Sequence, residues 1–239
     1  MPQAELAAIP ELESAHPEEI VAWTVATFPG KTALTLSFGG GGVALAHMVS
    51  RIDRTVPVIF IDTGMHFPET YAFKQEFTER YGLDLVEVRP AADPGPLYRT
   101  DPDRCCRIRK VEPIEPVMAG FDAWISGLRR DQSPSRAALE PVERHDVDGH
   151  PIIKVFPLAR WSREDVLRYI RDHDIPSHPL LDRGYTSIGC WPCTRPTRPG
   201  ESERAGRWSG TGKVECGLHT FTTNSAPRPP LPTGKGDRG

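Results

Sequence analysis

Residues 33–52 read ALTLSFGGGGVALAHMVSRI, and this stretch decides the fold. Its first part, residues 33–37, is apolar and is typical of a buried strand. Four glycines at 39–42 follow, and a helical repeat comes next, formed by Leu45, Val49 and Ile52. A strand, a glycine loop and a helix in this order direct backbone N–H groups and a helix N-terminus at a phosphate. The stretch therefore predicts an anion-binding loop, with a flexible turn as the alternative.

The rest of the chain alternates strands with helices. Further strands are predicted at 56–61, 83–88, 123–127 and 152–158, and helices at 18–28, around 73–77, in part of 105–118 and after Ser162. This alternation predicts an α/β fold with a doubly wound, mostly parallel sheet. Ligands bind such sheets at the carboxyl ends of the strands, where Ser37, Asp62 and Gly127 fall.

The composition divides the chain into four parts. A flexible N-terminal arm, residues 1–15, precedes a nucleotide-binding α/β domain at 16–183. From residue 184 the periodicity is lost and glycine, proline, arginine and cysteine dominate, so 184–222 are expected to form an irregular C-terminal segment, which carries Cys190, Cys193 and Cys216. Residues 223–239 are poor in apolar side chains, which predicts a disordered tail.

Charge and hydropathy exclude several classes of protein. The net charge of −3 gives no general attraction to nucleic acid or to an anionic membrane. The apolar runs are far shorter than the roughly 18 residues of a membrane span. Residues 1–14 lack the basic start and apolar centre of a signal peptide. We therefore expect a cytoplasmic protein whose thiols stay reduced.

Four of the five cysteines fall in two close pairs. Cys105 adjoins Cys106, and Cys190 and Cys193 enclose two residues. Four thiolates in two pairs can form a tetrahedral sulfur site for zinc or for an iron–sulfur cluster, and the spacing alone does not choose between them. Adjacent cysteines are unusual for zinc. Buried thiols without a ligand are the remaining alternative.

The fifth cysteine, Cys216, stands alone beside a glycine, with His219 three residues later. Its surroundings are rich in glycine and weakly apolar, which disfavours a buried structural thiol. Nearby cations lower the pKa of a thiol and so activate it as a nucleophile. Basic residues follow both cysteine pairs and the fourth strand and indicate a polyanionic ligand; among them are Lys110, Arg129, Arg130, Arg204 and Arg207.

Several short motifs together resemble those of one enzyme family. They are IDTG (61–64), HFPET (66–70), CCRIRK (105–110), GLRR (127–130), CWPC (190–193), RAGRW (204–208) and ECGLH (215–219). Through them, residues 30–222 resemble the assimilatory adenylyl-sulfate reductases and the related phosphoadenylyl-sulfate reductases. All five cysteines occur in the order found in that family.

The resemblance implies a PP-loop nucleotide-binding fold and a [4Fe-4S] cluster, held by Cys105, Cys106, Cys190 and Cys193. It also implies that Lys110, Arg204 and Arg207 lie near the phosphosulfate of the substrate. Further substrate contacts are expected from Ser37, Phe38, Gly39, Gly40, Asp62, Thr63, Gly64, Gly127, Arg129 and Arg130. Many relatives carry an acidic or amide residue within 40–42, where this chain has only glycine. The preference between adenylyl sulfate and its 3′-phosphorylated form therefore stays open.

The reaction implied by the resemblance begins with attack of the Cys216 thiolate on the sulfate sulfur of adenylyl sulfate. AMP leaves, and thioredoxin or a similar dithiol protein then frees sulfite from the cysteine S-sulfonate. His219 and Lys110 are the expected catalytic partners. Residues 200–222 are expected to act as a mobile lid, because Cys216 must meet first a substrate and then a protein. A homo-oligomer is compatible with this interpretation.

Two other functions remain as alternatives. A PP-loop protein could adenylate a substrate with ATP and transfer sulfur to tRNA, but the glycine loop lacks the aspartate of those enzymes, and the chain lacks a strong basic charge. The cysteines could instead hold zinc in a binding module without catalysis. Release of pyrophosphate from ATP would favour the first alternative, and a colourless purified protein the second.

Overall fold

In the computed structural model, which describes residues 10–147, 149–218 and 223–224, seven strands form one sheet. They are β1 (Thr32–Thr35), β2 (Val58–Ile61), β3 (Leu85–Val88), β4 (Ala123–Ile125), β5 (Val142–Val147), β6 (His150–Val155) and β7 (Thr223–Asn224). Their order is β3-β2-β1-β4-β6-β5-β7. The first five strands in this order run parallel to one another. Strand β5 pairs antiparallel with β6, and β7 pairs antiparallel with β5. The predicted α/β fold with a mostly parallel sheet is confirmed.

Helices cover both faces of the sheet. They are α1 (Pro10–Ser14), α2 (Pro17–Thr27), α3 (Gly40–Ile52), α4 (Pro68–Tyr81), α5 (Pro102–Cys106), α6 (Glu112–Met118) and α7 (Arg163–Asp172). One π-helical turn, Arg107–Val111, joins α5 to α6. Pro113 has no N–H to bond the carbonyl of Arg109, and its ring would clash with that carbonyl in a regular helix, which accounts for the wider turn.

Alternating strand residues build a core on each face of the sheet. Leu34 and Phe60 pack in one buried cluster with side chains of α2, α3, α4 and α7. Their neighbours Ala33 and Ile59 point to the other face and pack with Ile114 and other residues of α6. Because both faces are buried, the central strands β2 (VIFI) and β4 (AWI) are apolar throughout, as is typical of parallel sheets, and β1 (TALT) is apolar at its two middle residues. The resulting rigid sheet fixes the positions of the loops at its carboxyl edge.

Helix α7 begins directly after Ser162, where the sequence predicts a helix. The Ser162 side chain accepts a hydrogen bond from the N–H of Asp165, and the Asp165 carboxylate accepts one from the N–H of Ser162. This capping box starts the helix that the sequence predicts after Ser162.

Three segments differ from the sequence-based expectations. The N-terminal arm is helical at α1, where Glu13 forms an ion pair with Arg130. Strand β5, which was not predicted, forms an antiparallel pair with β6. Thr223 and Asn224 pair with β5 although they fall in the predicted tail, and the rest of that tail lies outside the described residues. None of the helices that the structure describes has the length and apolar character of a bilayer-spanning segment.

Candidate active site

An open cavity of about 210 Å³ lies at the carboxyl ends of β1, β2 and β4. Three groups of residues line it. The strand ends and the glycine loop contribute Ser37, Gly39, Gly40, Gly41, Ser126 and Gly127; the cations are Lys110, Arg129, Arg136, Arg163, Arg204 and Arg207; the C-terminal segment contributes Glu203, Cys216 and Leu218. This is the edge at which parallel α/β sheets bind ligands. A thiol, a glycine loop and a set of cations therefore share one open cavity.

The glycine loop leads into a helix N-terminus without a side-chain cap. Gly39 occupies the N-cap position in extended conformation, and no side chain among the described residues bonds the first amides of α3. The first N–H groups of a helix have no partner within the helix and carry its positive dipole end. Since residues 39–42 line the cavity, these amides can bind a phosphate there.

Phe38 turns the chain from β1 into this loop. Its φ of 56° is unusual for an aromatic residue, and its ring is fully buried against Phe60, Phe73 and Phe77. The core contacts of the ring stabilise the strained turn. The structure therefore leaves only the backbone of Phe38 for the substrate contact that the sequence predicts.

Gly41 and Gly127 bring the loop and the end of β4 into direct backbone contact. A Cβ atom built on Gly41 would lie 3.1 Å from the carbonyl oxygen of Gly127, and one on Gly127 would lie 3.2 Å from the backbone of Gly41. Backbone atoms on both sides have little freedom to move. The glycines at these two positions are therefore required by packing as well as by the phosphate site.

We expect Gly41→Ala to push the loop away from β4 and to lower stability by about 1–3 kcal/mol. Nucleotide affinity should fall as well, because the α3 amides move with the loop. Gly40→Ala is the matched control, since a Cβ there would meet only the Val166 side chain, at 3.9 Å. Thermal unfolding and nucleotide titration of both variants check this prediction. Equal losses in the two variants would contradict it.

The four paired cysteines surround a second, smaller cavity. Its lining contains Cys105, Cys106, Cys190 and Cys193, together with Lys110, Arg207 and Trp208. The Oγ1 atom of Thr63 lies 3.3 Å from the sulfur of Cys190. Among the described residues, no three histidine, cysteine or acidic side chains converge closely enough to chelate one metal ion. The thiols therefore enclose a space instead of meeting at a point.

Burial disfavours ionisation of Cys105, Cys106 and Cys193 in the absence of a ligand. It raises the pKa of Cys106 to about 11 and also raises the pKa of Cys105 and of Cys193. A bound metal would deprotonate such thiols outright.

Lys110 connects the two cavities electrostatically. It lies on the π-helical turn and lines both of them. Burial disfavours its charge, but the neighbouring sulfurs of Cys190, Cys216 and Cys106 more than offset this effect and raise the pKa of Lys110. The ammonium group is therefore charged at neutral pH.

Cys216 is the thiol that this charge activates. Burial raises the pKa of Cys216, but the Lys110 ammonium, the N–H of Leu218 and Arg207 together lower it below the ordinary thiol value. The lower pKa increases the fraction of thiolate at neutral pH, and thiolate is the nucleophilic form. Cys216 can therefore act as a nucleophile on a ligand in the cavity.

Arg207 and Trp208 form the wall shared by the two cavities. The Arg207 guanidinium lies 4.6 Å from the centre of the Trp208 ring and donates a hydrogen bond to the carbonyl of Ile188. It also packs on Gly189, where any Cβ would overlap it. Arg204 stands over the same ring, and burial together with Arg136 lowers the pKa of Arg204 to about 10. The Arg204 guanidinium therefore remains charged at neutral pH, and both arginines line the large cavity.

The model of the phosphoadenosine phosphosulfate reductase domain matches residues 31–196. The chain belongs to the phosphoadenosine phosphosulfate reductase family. The matched residues include the glycine loop and all four paired cysteines and end before Cys216.

Two relatives and one solved structure support membership of the reductase family. The adenosine 5′-phosphosulfate reductase of Chelativorans sp. is 43% identical over 80% of this chain and 79% of its own length. That of Halalkalibacterium halodurans is 42% identical over 87% of this chain and 93% of its own length. The phosphate complex of phosphoadenylyl-sulfate reductase from Candida auris superimposes with a TM-score of 0.70, at 31% identity, over 80% of this chain and 96% of that one.

Not every predicted substrate contact of this reductase-family chain reaches the cavity. Arg130 points away from it and forms ion pairs with Glu13 and Glu140. Asp62 accepts hydrogen bonds from the Tyr71 hydroxyl and the Gly64 N–H and pairs with Arg89. Neither Arg130 nor residues 62–64 line the large cavity.

The remaining predicted residues fall in three places: beside Cys190, in the large cavity, and outside the described residues. Thr63 contacts Cys190, so it lies beside the four thiols. Arg129 lines the large cavity but is fully buried between Asp131 and Glu203. His219, predicted as a catalytic partner of Cys216, lies outside the described residues.

Sequence reasoning missed several polar residues that the reductase fold brings to the cavity. Among them are Gln132, Arg136, Arg163 and Glu203. Arg136 and Glu203 contact residues about 70 to 80 positions away in the chain. The Ser-Pro-Ser-Arg stretch at 133–136 carries no signal of such a contact, whereas Glu203 directly precedes the RAGRW motif and could have been included with it.

Proposed function

We propose that this chain reduces adenylyl sulfate to sulfite and AMP, with Cys216 as the nucleophile and a dithiol protein as the reductant, in sulfate assimilation. The relatives named adenosine 5′-phosphosulfate reductase, at 42–43% identity, support the substrate. The observation that carries the proposal is the common cavity, in which Cys216, Lys110 and the glycine loop meet.

In this proposal the nucleotide phosphate binds the amides of the glycine loop. The sulfate group then extends toward Lys110, Arg204 and Arg207, whose charges suit a phosphosulfate dianion. Cys216 lies in the same lining, and in this proposal its sulfur meets the sulfate end of the substrate. Cations fixed in a partly buried cavity stabilise negative charge more strongly than they would in water.

The proposed reaction has two half-reactions. The Cys216 thiolate attacks the sulfate sulfur, a sulfur–sulfur bond forms, the bond from sulfur to the phosphate oxygen breaks, and AMP leaves with that electron pair. A thiolate of the reductant then attacks the Cys216 sulfur and displaces sulfite. The second thiol of the reductant resolves the mixed disulfide and returns Cys216 as a thiol. The dithiol is oxidised to a disulfide, and the sulfate sulfur accepts its two electrons.

Cys105, Cys106, Cys190 and Cys193 are the proposed ligands of a [4Fe-4S] cluster. Four thiols enclosing a space fit a cluster, with one thiolate for each iron, better than a single zinc ion, which needs four ligands at one point. When bound, the cluster would tune the electrostatic field of the site without exchanging electrons with substrate. The residues themselves hold Lys110 between this cavity and Cys216.

Thioredoxin, or a dithiol protein like it, is the proposed reductant. The two-electron chemistry above needs a dithiol and needs neither flavin nor nicotinamide. Cys216 is half-buried beside the cavity, so the C-terminal segment must move before a protein thiol can reach it.

A sulfite-release assay with reduced thioredoxin tests the proposed function. Adenylyl sulfate should yield sulfite and AMP in equal amounts, and the 3′-phosphorylated form should react more slowly. A clear preference for the 3′-phosphorylated form would overturn the substrate assignment. Release of pyrophosphate from ATP, or a colourless protein that binds zinc and forms no sulfite, would overturn the proposed function.

A further inference from the structure

Glu215, the residue before Cys216, is held by a dense set of donors. Arg136 binds its carboxylate with two hydrogen bonds, of 2.8 Å from Nε and 2.7 Å from Nη2. Arg204 adds a contact of 3.3 Å, and the hydroxyl groups of Ser133 and Ser135 donate at 3.4 and 3.2 Å. The Arg136 side chain is only 8% exposed and that of Glu215 only 13%. Bidentate, poorly hydrated pairs of this kind are the strong ones among ion pairs.

The Glu215 carboxylate is ionised throughout the neutral range. Burial raises the pKa of Glu215, but the hydrogen bonds and the charges of Arg136 and Arg204 outweigh it and hold the pKa below its ordinary value. Because this carboxylate is ionised above its lowered pKa, the pair is present at neutral pH and is lost only as the pH falls through that value.

Arg136 in turn belongs to the fixed part of the fold. It ends the short 3₁₀ turn Pro134–Arg136, which follows β4, and its Nη1 donates to the side chain of Gln132. The same Gln132 oxygen accepts the N–H of Arg129 at 3.2 Å. Glu215 is thereby connected through Arg136 to the loop at the end of the sheet.

A second anchor lies on the other side of the thiol. Leu218 packs against the buried cluster that contains Ile59, Ile61 and Trp124. Cys216 therefore lies between a polar anchor, Glu215, one residue before it, and an apolar anchor, Leu218, two residues after it. The apolar contact of Leu218 alone would hold the segment against the core, but it would not fix where Cys216 lies along the cavity.

We propose that the Arg136–Glu215 ion pair is a latch that positions the Cys216 sulfur for attack on the substrate and opens before the reductant reaches the S-sulfonate. This proposal rests on the proposed function and assigns Arg136 and Glu215 as positioning residues for its reaction. It acts on the first half-reaction, in which the thiolate must lie in line with the sulfate sulfur. In the second half-reaction the segment has left the cavity, so the latch gives no help there.

The test separates the two half-reactions. Formation of the S-sulfonate is followed by intact mass after mixing protein with adenylyl sulfate alone. Release is followed as sulfite after reduced thioredoxin is added to protein that already carries the adduct. Arg136→Ala and Glu215→Gln should each slow formation at least about tenfold, since a misplacement of about 1 Å costs up to about 10²-fold. Release should not slow, and nucleotide affinity should change by less than about threefold.

The double variant and a matched control sharpen the test. Because both residues serve one latch, Arg136→Ala combined with Glu215→Gln should be no slower than either single variant. Arg195→Ala is the control: it removes a second bidentate pair of the same segment, Arg195–Glu201, which lies outside both cavities. Its rates in both half-reactions should match those of the unmodified protein.

Two results would overturn the latch while leaving the proposed function intact. One is S-sulfonate formation at the unmodified rate in Arg136→Ala. The other is an equal slowing of both half-reactions, which a merely structural role would produce. If Arg136→Ala does not fold, Glu215→Gln alone decides by the same criteria. Failure of the unmodified protein to form any adduct would instead refute the proposed function.

Discussion

Cys216→Ser should lower sulfite release by more than about 10⁴-fold, because it removes the nucleophile of the proposed reaction. A serine hydroxyl is hardly ionised at neutral pH and cannot form the sulfur–sulfur bond on which transfer of the sulfite group depends. The substitution is nearly isosteric, and the glycine loop, Lys110 and Arg207 are unchanged, so nucleotide binding should persist. A sulfite assay and a nucleotide titration on the same preparation measure both quantities.

If the proposed cluster is bound, the iron content of Cys216→Ser is the internal control for that prediction. Cys216 lines the large cavity and not the smaller one that the four paired thiols surround. Iron and the colour of the protein should therefore be retained in this variant and lost in Cys190→Ser. A Cys216→Ser protein that still releases sulfite would contradict the assignment of the nucleophile.

Lys110→Met should lower kcat/KM by about 10²- to 10³-fold, the usual cost of removing one preorganised group that stabilises charge in a transition state. Methionine retains most of the length of the side chain but not its charge. The substitution removes the strongest influence that lowers the pKa of Cys216. The pKa of Cys216 should therefore rise, and the thiolate fraction at neutral pH should fall.

Alkylation of Cys216 by iodoacetamide over a pH series measures this pKa directly. In the unmodified protein the apparent pKa should lie below the ordinary value of about 8.5, and in Lys110→Met it should lie higher. Lys213→Met is the control, because the Lys213 ammonium pairs with Asp103 and lines neither cavity. Identical alkylation profiles for Lys110→Met and the unmodified protein would contradict the proposed role of Lys110.

The central sheet could be predicted from the sequence because its signals are local. Strands β1, β2 and β4 are short apolar runs, and the capping box of α7 lies within four residues. Strand β5 reads VERHDV, in which charged residues hide the alternation of buried positions, and its pairing with β6 fixes it. Helix α1 likewise depends on contacts with Arg130 and Arg160, more than a hundred residues away.

The candidate site likewise has features that local sequence signals predict and features that distant contacts determine. The sequence predicts a glycine loop between a strand and a helix because the three are adjacent in the chain, and the structure shows this loop in the lining of the cavity. It treated Arg129 and Arg130 alike, yet their side chains diverge: Arg129 pairs with Glu203 at the cavity and Arg130 with Glu13 outside it. Which way a side chain leaves an irregular turn depends on distant carboxylates, and periodicity carries no information about those.

The most direct test of the account is the mass of the protein after mixing with adenylyl sulfate in the absence of any reductant. We expect one added sulfite group per chain, located by peptide mapping on residue 216 and lost when reduced thioredoxin is added. An unmodified peptide at that position, in protein that demonstrably binds the nucleotide, would contradict the account.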